Sequence, residues 1–343
     1  MSPSIYPNST PARSILLISP DFFNYHILVR DELIRQGHTV YYVCDRPSKK
    51  ALVKILIRKF RFLLAPYLRR YYERVFNEIP NNIDEVFIIK GEGLTKGVVR
   101  GMKKRFQKAR FQIYLWDSLR NHPTAMSIVP FMDRVFSFDI EDSKSHPEWH
   151  YMPNYYVEKP HNDKKNDDSL THKNWNLTFI GSCHSDRLKI LAKISQTLPS
   201  EFSFYRFVFF QSPLLYYFRK IFDPAFRTFR VEELSLKPQL GDSTESVIRS
   251  TIAILDIHHP RQSGFSHRAV EALASGFKLV TTNHYIRETP YYDKRFIYII
   301  DRDNPQIDPE FLRARADANL TEFVPNEAIQ ALELKRWIQT IFA

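Results

Sequence analysis

Hydrogen-bond donors are concentrated between residues 252 and 283, where the chain could bind an anion. The pattern there predicts a short apolar strand, a polar loop, a helix and a second strand. Donor groups in the loop and at the helix start belong to His259, Arg261, Ser263, Gly264, Ser266 and Arg268. A helix start attracts anions because free backbone N–H groups and the helix dipole point to the same place. The segment is therefore predicted to bind a phosphate group.

Glu271 adds a carboxylate one turn inside the same predicted helix, where it could accept hydrogen bonds from two ribose hydroxyls. Donors for phosphate and an acceptor for ribose hydroxyls together suit a nucleoside diphosphate. Taken singly, Arg268 and Glu271 are better explained as a surface ion pair three residues apart on a helix, and Gly276 as the residue that ends it. The combination of all these groups in one strand–loop–helix unit favours the ligand.

A second strand–loop–helix unit offers a partner loop. A predicted strand at 175–180 is followed by Gly181 and Ser182, and the next helix begins near Arg187. Glycine and serine backbones at such a turn can hold a phosphate. The alternative is an ordinary turn capped by Ser185 or Asp186. We assign the Gly181–Ser182 backbone to the phosphate site, while Arg187 fits both interpretations equally.

Charged side chains also follow several predicted strands in the first half of the chain. Lys90 and Glu92, then Asp117, then Asp139 stand at successive strand ends. The carboxyl ends of parallel strands share one sheet edge, where ligands of α/β proteins bind. We therefore expect these residues to contact a second substrate, and we name Asp117 and Asp21 as candidate general bases. The alternative role is capping of the following helix, above all for Asp139.

The stretch from Arg268 to Asn283, RAVEALASGFKLVTTN, resembles the donor segment of GT-B glycosyltransferases. The longer pattern LDIxHPxQxGxxxRxxEAL is similar to bacterial enzymes of lipopolysaccharide, capsule or exopolysaccharide synthesis, and to CgeB-like glycosyltransferases. The resemblance implies an α/β fold of two Rossmann-like doubly wound domains facing across a cleft. It also implies sugar transfer from a nucleotide sugar to a glycan or lipid-linked acceptor, with no cofactor and no metal required.

Two details of the resemblance leave the reaction type and the donor open. Retaining relatives carry a glutamate eight positions before the second one, and Ser263 stands there in this chain. His259 and Pro260 resemble a His–Pro motif of transferases that use CMP-activated acidic sugars, which gives an alternative donor. A GT-B-type epimerase and a non-catalytic protein bound to membranes are the other functions left open.

Composition and the resemblance together predict the domain organisation. The first domain spans 14–158 and includes a basic insertion at 48–78, a polar linker spans 159–173, and a nucleotide-sugar-binding domain spans 174–324. A helix in 325–343 would pack back on the first domain, as the resemblance implies. The aromatic and basic segment 213–230 is predicted to be a core helix with some interfacial character.

The charge of the chain calls for an acidic partner, because the formal net charge is +11. From Lys49 to Arg74 there are nine Lys or Arg residues against one acid. A basic amphipathic helix there suits an anionic membrane surface, and a crossover helix with solvated charges explains it equally well. Nucleic acid is not expected, since no recognised binding motif accompanies the charge.

Cysteine usage and hydropathy predict where the protein acts. The two cysteines, Cys44 and Cys183, provide no disulfide framework, which indicates a reducing compartment. No apolar run approaches the roughly 20 residues that a membrane span needs. We expect a cytoplasmic protein, soluble or peripheral on the inner face of the cytoplasmic membrane.

Overall fold

A computed structural model describes residues 11–22, 24–48, 53, 57, 63–158, 175–210, 212–239, 242–313 and 327–343. The chain divides into two compact units. Unit 1 comprises Met1–Asn154 and Leu334–Ala343, and unit 2 comprises Tyr155–Glu333. The predicted linker 159–173 and most of 49–62 lie outside the described residues. None of the described helices is long and apolar enough to cross a membrane.

Unit 1 is built on a six-stranded, entirely parallel sheet in the order β2-β1-β3-β4-β5-β6. Its strands are β1 (Ser14–Ser19), β2 (Thr39–Cys44), β3 (Glu85–Ile89), β4 (Arg110–Leu115), β5 (Arg134–Ser137) and β6 (His150–Tyr151). Its first helices are α1 (Tyr25–Arg35), α2 (Ala65–Asn77), α3 (Lys96–Arg105) and α4 (Ile140–Ser145). Residues 15–18 and 86–89 are all buried, as expected for parallel strands covered on both faces.

Unit 2 repeats this architecture with the order β12-β11-β10-β7-β8-β9, again parallel throughout. Its strands are β7 (Trp175–Ser182), β8 (Phe204–Phe209), β9 (Leu234–Ser235), β10 (Thr251–Asp256), β11 (Lys278–Thr281) and β12 (Ile297–Ile299). Its helices are α5 (Arg187–Thr197), α6 (Pro213–Phe222), α7 (Asp242–Arg249), α8 (His267–Ala274), α9 (Pro309–Arg313) and α10 (Glu327–Gln330). The two doubly wound parallel sheets are those predicted from the sequence.

The chain ends in α11 (Leu334–Phe342), which belongs to unit 1. Trp337 is fully buried there, and its indole N–H donates to the carbonyl of Pro153 at 2.9 Å. The described part of the predicted C-terminal helix is therefore two helices, α10 and α11, separated by a turn.

Two described segments bear on the membrane hypotheses. In α2, at the end of the basic insertion, Leu68, Tyr72 and Phe76 are buried in the core, as in a crossover helix. The prediction of a core helix within 213–230 is wrong for α6, because none of its residues is buried. Aromatic residues at helical spacing predicted burial there, but only one side of α6 contacts the rest of unit 2.

Candidate functional site

The strand order of the second sheet reverses between β7 and β10, and the two donor-rich loops follow these neighbouring strands. Residues 183–186 connect β7 to α5, and residues 257–266 connect β10 to α8. Ligands of doubly wound sheets bind at such a reversal, outside the carboxyl ends of the strands. The fold thus brings together two segments that lie about seventy residues apart in sequence.

Arg187 joins the two segments. Its Nη1 donates to the carbonyl of Ser182 at 3.0 Å, while Nε and Nη2 donate to the carbonyl of Ile257 at 2.9 and 2.7 Å. Gly181 leaves room for this side chain, since a Cβ there would lie 3.2 Å from Arg187 Nη1 and 2.8 Å from Phe179 Cζ. Both Gly181 and Ser182 lie in β7, which is two residues longer than predicted. The hydrogen bonds of Arg187 hold the two loops together, so this side chain orders the loops in addition to carrying a positive charge.

Arg302, which the sequence pattern does not single out, follows β12 by three residues and connects the same loops. Its Nη1 donates to Asp186 Oδ1 at 2.6 Å, and its Nη2 donates to the carbonyl of His258 at 2.5 Å. Burial raises the pKa of Asp186, but the hydrogen bond and charge of Arg302 outweigh burial and leave that pKa lowered. One sequence signal could have indicated Arg302. It follows an apolar strand closely, and the carboxyl ends of the parallel strands of this sheet are where the other candidate residues lie.

Two largely shielded histidines lie near the arginines at this edge. Burial, then the charge of Arg187, lowers the pKa of His184 to about 3. Burial, then the charge of Arg302, lowers the pKa of His258 to about 3. Arg302 can only donate and lies 3.2 Å from His258 Nδ1, so a proton on that nitrogen would face a guanidinium N–H. Both imidazoles are therefore neutral near pH 7.

The arginines also act on one another. Burial lowers the pKa of Arg187 to about 10; attraction by Asp256 opposes the shift, whereas repulsion from Arg268 and Arg302 adds to it. No described carboxylate forms an ion pair with Arg187 within 4.0 Å. An anion arriving here would relieve the repulsion among three guanidinium groups.

The start of α8 is fixed by an internal hydrogen-bond network. Ser266 caps the helix, because its hydroxyl oxygen accepts from the backbone N–H of Ala269 at 3.1 Å. The same hydroxyl donates to Asp256 Oδ1 at 2.8 Å. Asn283 Nδ2 donates to the carbonyls of Ser263 and Gly264 at 3.0 and 3.2 Å. Ser266 and Ser263 thus shape the loop, and the capped helix presents its N-terminal dipole to the site.

The remaining predicted residues of this site differ in accessibility. Arg261 and Glu271 are exposed, and Arg268 is half-buried near Arg187. The rings of His259 and His184 have centroids 5.3 Å apart, so the loops after β7 and β10 meet at these imidazoles. The site thus has a buried, positively charged arginine at its bottom and accessible polar side chains at its opening. Such an arrangement suits an extended ligand with an anionic part.

In unit 1 the structure brings Lys90 and Asp117 together, at the ends of β3 and β4. Lys90 Nζ lies 2.6 Å from Asp117 Oδ2, and both side chains are largely shielded from solvent. Lys90 and Gly91 each have a φ of 69°, in the left-handed region. A non-glycine residue there costs roughly 1–3 kcal/mol, which the surrounding structure must offset. Such strain at a strand end is typical of ligand sites.

The other predicted residues of unit 1 have internal partners. Glu92 is buried, its backbone N–H donates to Asp45 Oδ2 at 3.1 Å, and its carboxylate lies 3.5 Å from Arg46 Nη1. Asp139 caps α4 by accepting from the backbone N–H of Asp142 at 3.1 Å, which is the alternative role considered for it. Asp21 Oδ1 lies 3.9 Å from His26 Nε2.

Within the described part of the chain, no three His, Cys, Asp or Glu residues are grouped so that they could hold a metal ion. Metal independence stays a prediction.

Comparison with known proteins relates the chain to solved structures only, since no family model and no curated protein matches it. An alpha-glucosyltransferase in complex with UDP and a mismatched 13-mer DNA is 14% identical, with 95% of this chain and 94% of that chain covered and a TM-score of 0.53. HepE from Anabaena, in complex with UDP and glucose, is 11% identical, with 96% and 98% covered and a TM-score of 0.56.

A third structure is the UDP-GlcNAc 2-epimerase from Neisseria meningitidis bound to UDP-GlcNAc. It is 11% identical, with 96% of this chain and 98% of that chain covered and a TM-score of 0.51. At such identities the similarity concerns the fold, which is the α/β GT-B fold predicted from the sequence.

Proposed function

We propose that this protein is a glycosyltransferase that takes its sugar from a nucleotide-sugar donor bound by unit 2. The observation that carries the proposal is the group of Arg187, Arg268 and Arg302, in which Arg187 links the two loops by hydrogen bonds and is repelled by the charges of the other two. A diphosphate suits this partly buried cationic site. Proteins of the same fold are bound to UDP or UDP-GlcNAc in their structures, which supports the same ligand class.

The chemistry asked of the protein is mainly electrostatic. The bond between the anomeric carbon and the donor phosphate oxygen breaks, and its electron pair leaves with the phosphate. A new bond forms from the anomeric carbon to an acceptor hydroxyl oxygen, whose proton passes to a base. Arg268, in the first turn of α8 and next to the loops ordered by Arg187 and Arg302, would stabilise the leaving charge, and Glu271 would bind the ribose.

The acceptor side is proposed for unit 1. Asp117, oriented by its 2.6 Å contact with Lys90, is the first candidate base, and Asp21 is the second. A glycan or lipid-linked acceptor in bacterial surface polysaccharide synthesis follows from the sequence resemblance. We further propose that the protein is cytoplasmic, since its two cysteines provide no disulfide framework, and that Lys49 to Arg74 is one segment that would contact an anionic membrane.

A panel of nucleotide sugars tests the proposal. The full-length protein is incubated with UDP-, GDP- and dTDP-sugars and with CMP-sialic acid, with and without glycan acceptors, and released nucleotide is measured. We expect release from one donor class and a loss of about 100-fold in Arg268→Ala, the usual cost of removing one donor to the leaving charge. Arg249→Ala is the matched control, because Arg249 is an exposed arginine of unit 2 paired with Glu245 at 2.6 Å.

The panel also separates the alternatives. Release from CMP-sialic acid alone would select the CMP-activated donor instead. Isomerisation of the sugar without release of nucleotide would identify an epimerase. If no nucleotide sugar is consumed and none shifts the melting temperature, the protein is not a transferase of this kind.

A further inference from the structure

The outer side of α6 is an apolar surface with no partner in the described part of the chain. Five of its ten residues form one broad strip, because they recur at spacings of three and four. Their exposed fractions are 81% for Leu214, 57% for Tyr217, 56% for Phe218, 68% for Ile221 and 67% for Phe222. We call these five residues the α6 strip. Scattered exposed leucines are ordinary, but a contiguous strip of large apolar side chains marks an interaction surface.

The opposite side of α6 holds the helix firmly in unit 2. Leu215 and Tyr216 pack against the core, and the ring of Tyr216 lies edge-on to Phe210 and Phe226 at 5.2 and 5.3 Å. Arg219 donates to the carbonyl of Ser185 at 2.8 Å, in the loop that joins β7 to α5. The strip is therefore presented outward by a well-anchored helix and is not an unpacked end of the chain.

The exposed charges of α6 and of the segment that follows it are predominantly positive. Lys220 lies on α6, and the segment 223–237 that follows contains Arg227, Arg230 and Lys237. All four side chains are exposed. The exposed acid of this stretch is Glu232, since Asp223 pairs with Arg219 and Glu233 pairs with Arg206. The segment that carries the strip therefore complements an anionic partner.

We propose that the α6 strip is a membrane-binding surface, on which α6 lies in the plane of an anionic lipid bilayer. Protruding aliphatic and aromatic side chains with basic neighbours are the features of a helix that inserts at the boundary of headgroups and acyl chains. Lipid adapts to protruding side chains, whereas a folded partner would need a matching pocket for each. The basic residues supply the attraction to anionic headgroups.

A second copy of the chain fits the strip less well. Two copies that met at the strip would bring their basic residues together, and like charges facing each other oppose association. The strip therefore favours lipid over self-association, and this inference holds whether or not unit 2 binds a nucleotide sugar.

Vesicle co-sedimentation of the full-length protein tests the inference. The vesicles are phosphatidylcholine with and without phosphatidylglycerol. We expect binding to the anionic vesicles that falls at least about tenfold in Ile221→Gln/Phe222→Gln, because each buried apolar side chain contributes strongly to membrane affinity. Both residues are exposed and neutral, so the variant keeps the fold, the charge and the basic segment from Lys49 to Arg74. The matched control is Ile34→Gln/Met126→Gln, which replaces apolar residues of unit 1 that are 51% and 40% exposed.

A second variant tests the electrostatic part. Lys220→Gln/Arg227→Gln should weaken binding to anionic vesicles and reduce its salt sensitivity. Binding of Ile221→Gln/Phe222→Gln equal to that of the wild type would overturn the inference. It would also be overturned if sedimentation without vesicles showed a dimer that this variant abolishes, since the strip would then be an interface between copies.

Discussion

Replacement of Arg302 by alanine is expected to lower the affinity for UDP by about 100-fold. Arg302 donates to Asp186 at 2.6 Å and to the carbonyl of His258 at 2.5 Å, and so it holds both loops in place. Hydrogen bonds to charged groups contribute about 1.5–3 kcal/mol each, and the carbonyl left behind would lose a partner. A loss near 2.7 kcal/mol corresponds to about a factor of 100 in affinity. Isothermal titration with UDP measures it.

Two variants make this result interpretable. Arg302→Lys keeps the charge, but one ammonium group cannot reproduce the planar fork, so an intermediate loss is expected. Arg295→Ala should leave UDP affinity unchanged, because Arg295 is 73% exposed and pairs with nearby Asp293. Wild-type affinity in a folded Arg302→Ala protein would show that the ordering of these loops does not matter for nucleotide binding.

Acid is expected to destabilise the protein through His258. The loss of stability begins near the pKa of histidine in the unfolded chain, well above the pKa of His258 in the folded protein. Burial and Arg302 lower its pKa from 6.5 to about 3. Below pH 6.5 the unfolded chain takes up a proton that the folded chain refuses, so stability is lost as pH falls toward 3. At about 1.4 kcal/mol per pH unit, His258 alone removes about 2 kcal/mol between pH 6.5 and 5. His184, with the same shift, adds to this loss.

Chemical denaturation between pH 7 and 5 measures the effect, with His258→Asn as the matched variant. Asparagine offers an oxygen where His258 Nδ1 accepts, without a group that titrates, so its stability should fall less steeply with acid. Asp45 and Asp142 of unit 1 act in the opposite direction, because burial raises the pKa of each carboxyl to about 6. Identical pH slopes for His258→Asn and the wild type would contradict a neutral His258.

Much of the fold was predictable because its strands are continuous apolar runs ended by polar loops. The stretch from Ile252 to Asn283 contains one full strand–loop–helix–strand unit, and the structure has β10, α8 and β11 there. Parallel order then places the loop after β10 next to the loop after β7, so the meeting of His259 with His184 follows from topology. Local pattern and global fold agree in these elements.

Other features depend on contacts that no local pattern carries. Arg302 was overlooked because its partners Asp186 and His258 are 116 and 44 residues away. The helical spacing of aromatic residues in α6 is the same for a buried face and an exposed one, and only the position of the neighbouring core decides between them. Likewise, the sequence predicts a phosphate site at the Gly181 backbone, but it does not show that the missing side chain also makes room for Arg187.

The central claim is that a nucleoside diphosphate binds where the second sheet reverses its strand order. Hydrogen–deuterium exchange of the full-length protein, with and without saturating UDP, tests it most directly. Ordering of a loop by ligand raises the free energy of local opening and slows exchange there. We expect slower exchange in residues 183–187 and 258–268 together. Unchanged exchange in both segments, or protection confined to residues 90–93 of unit 1, would contradict it.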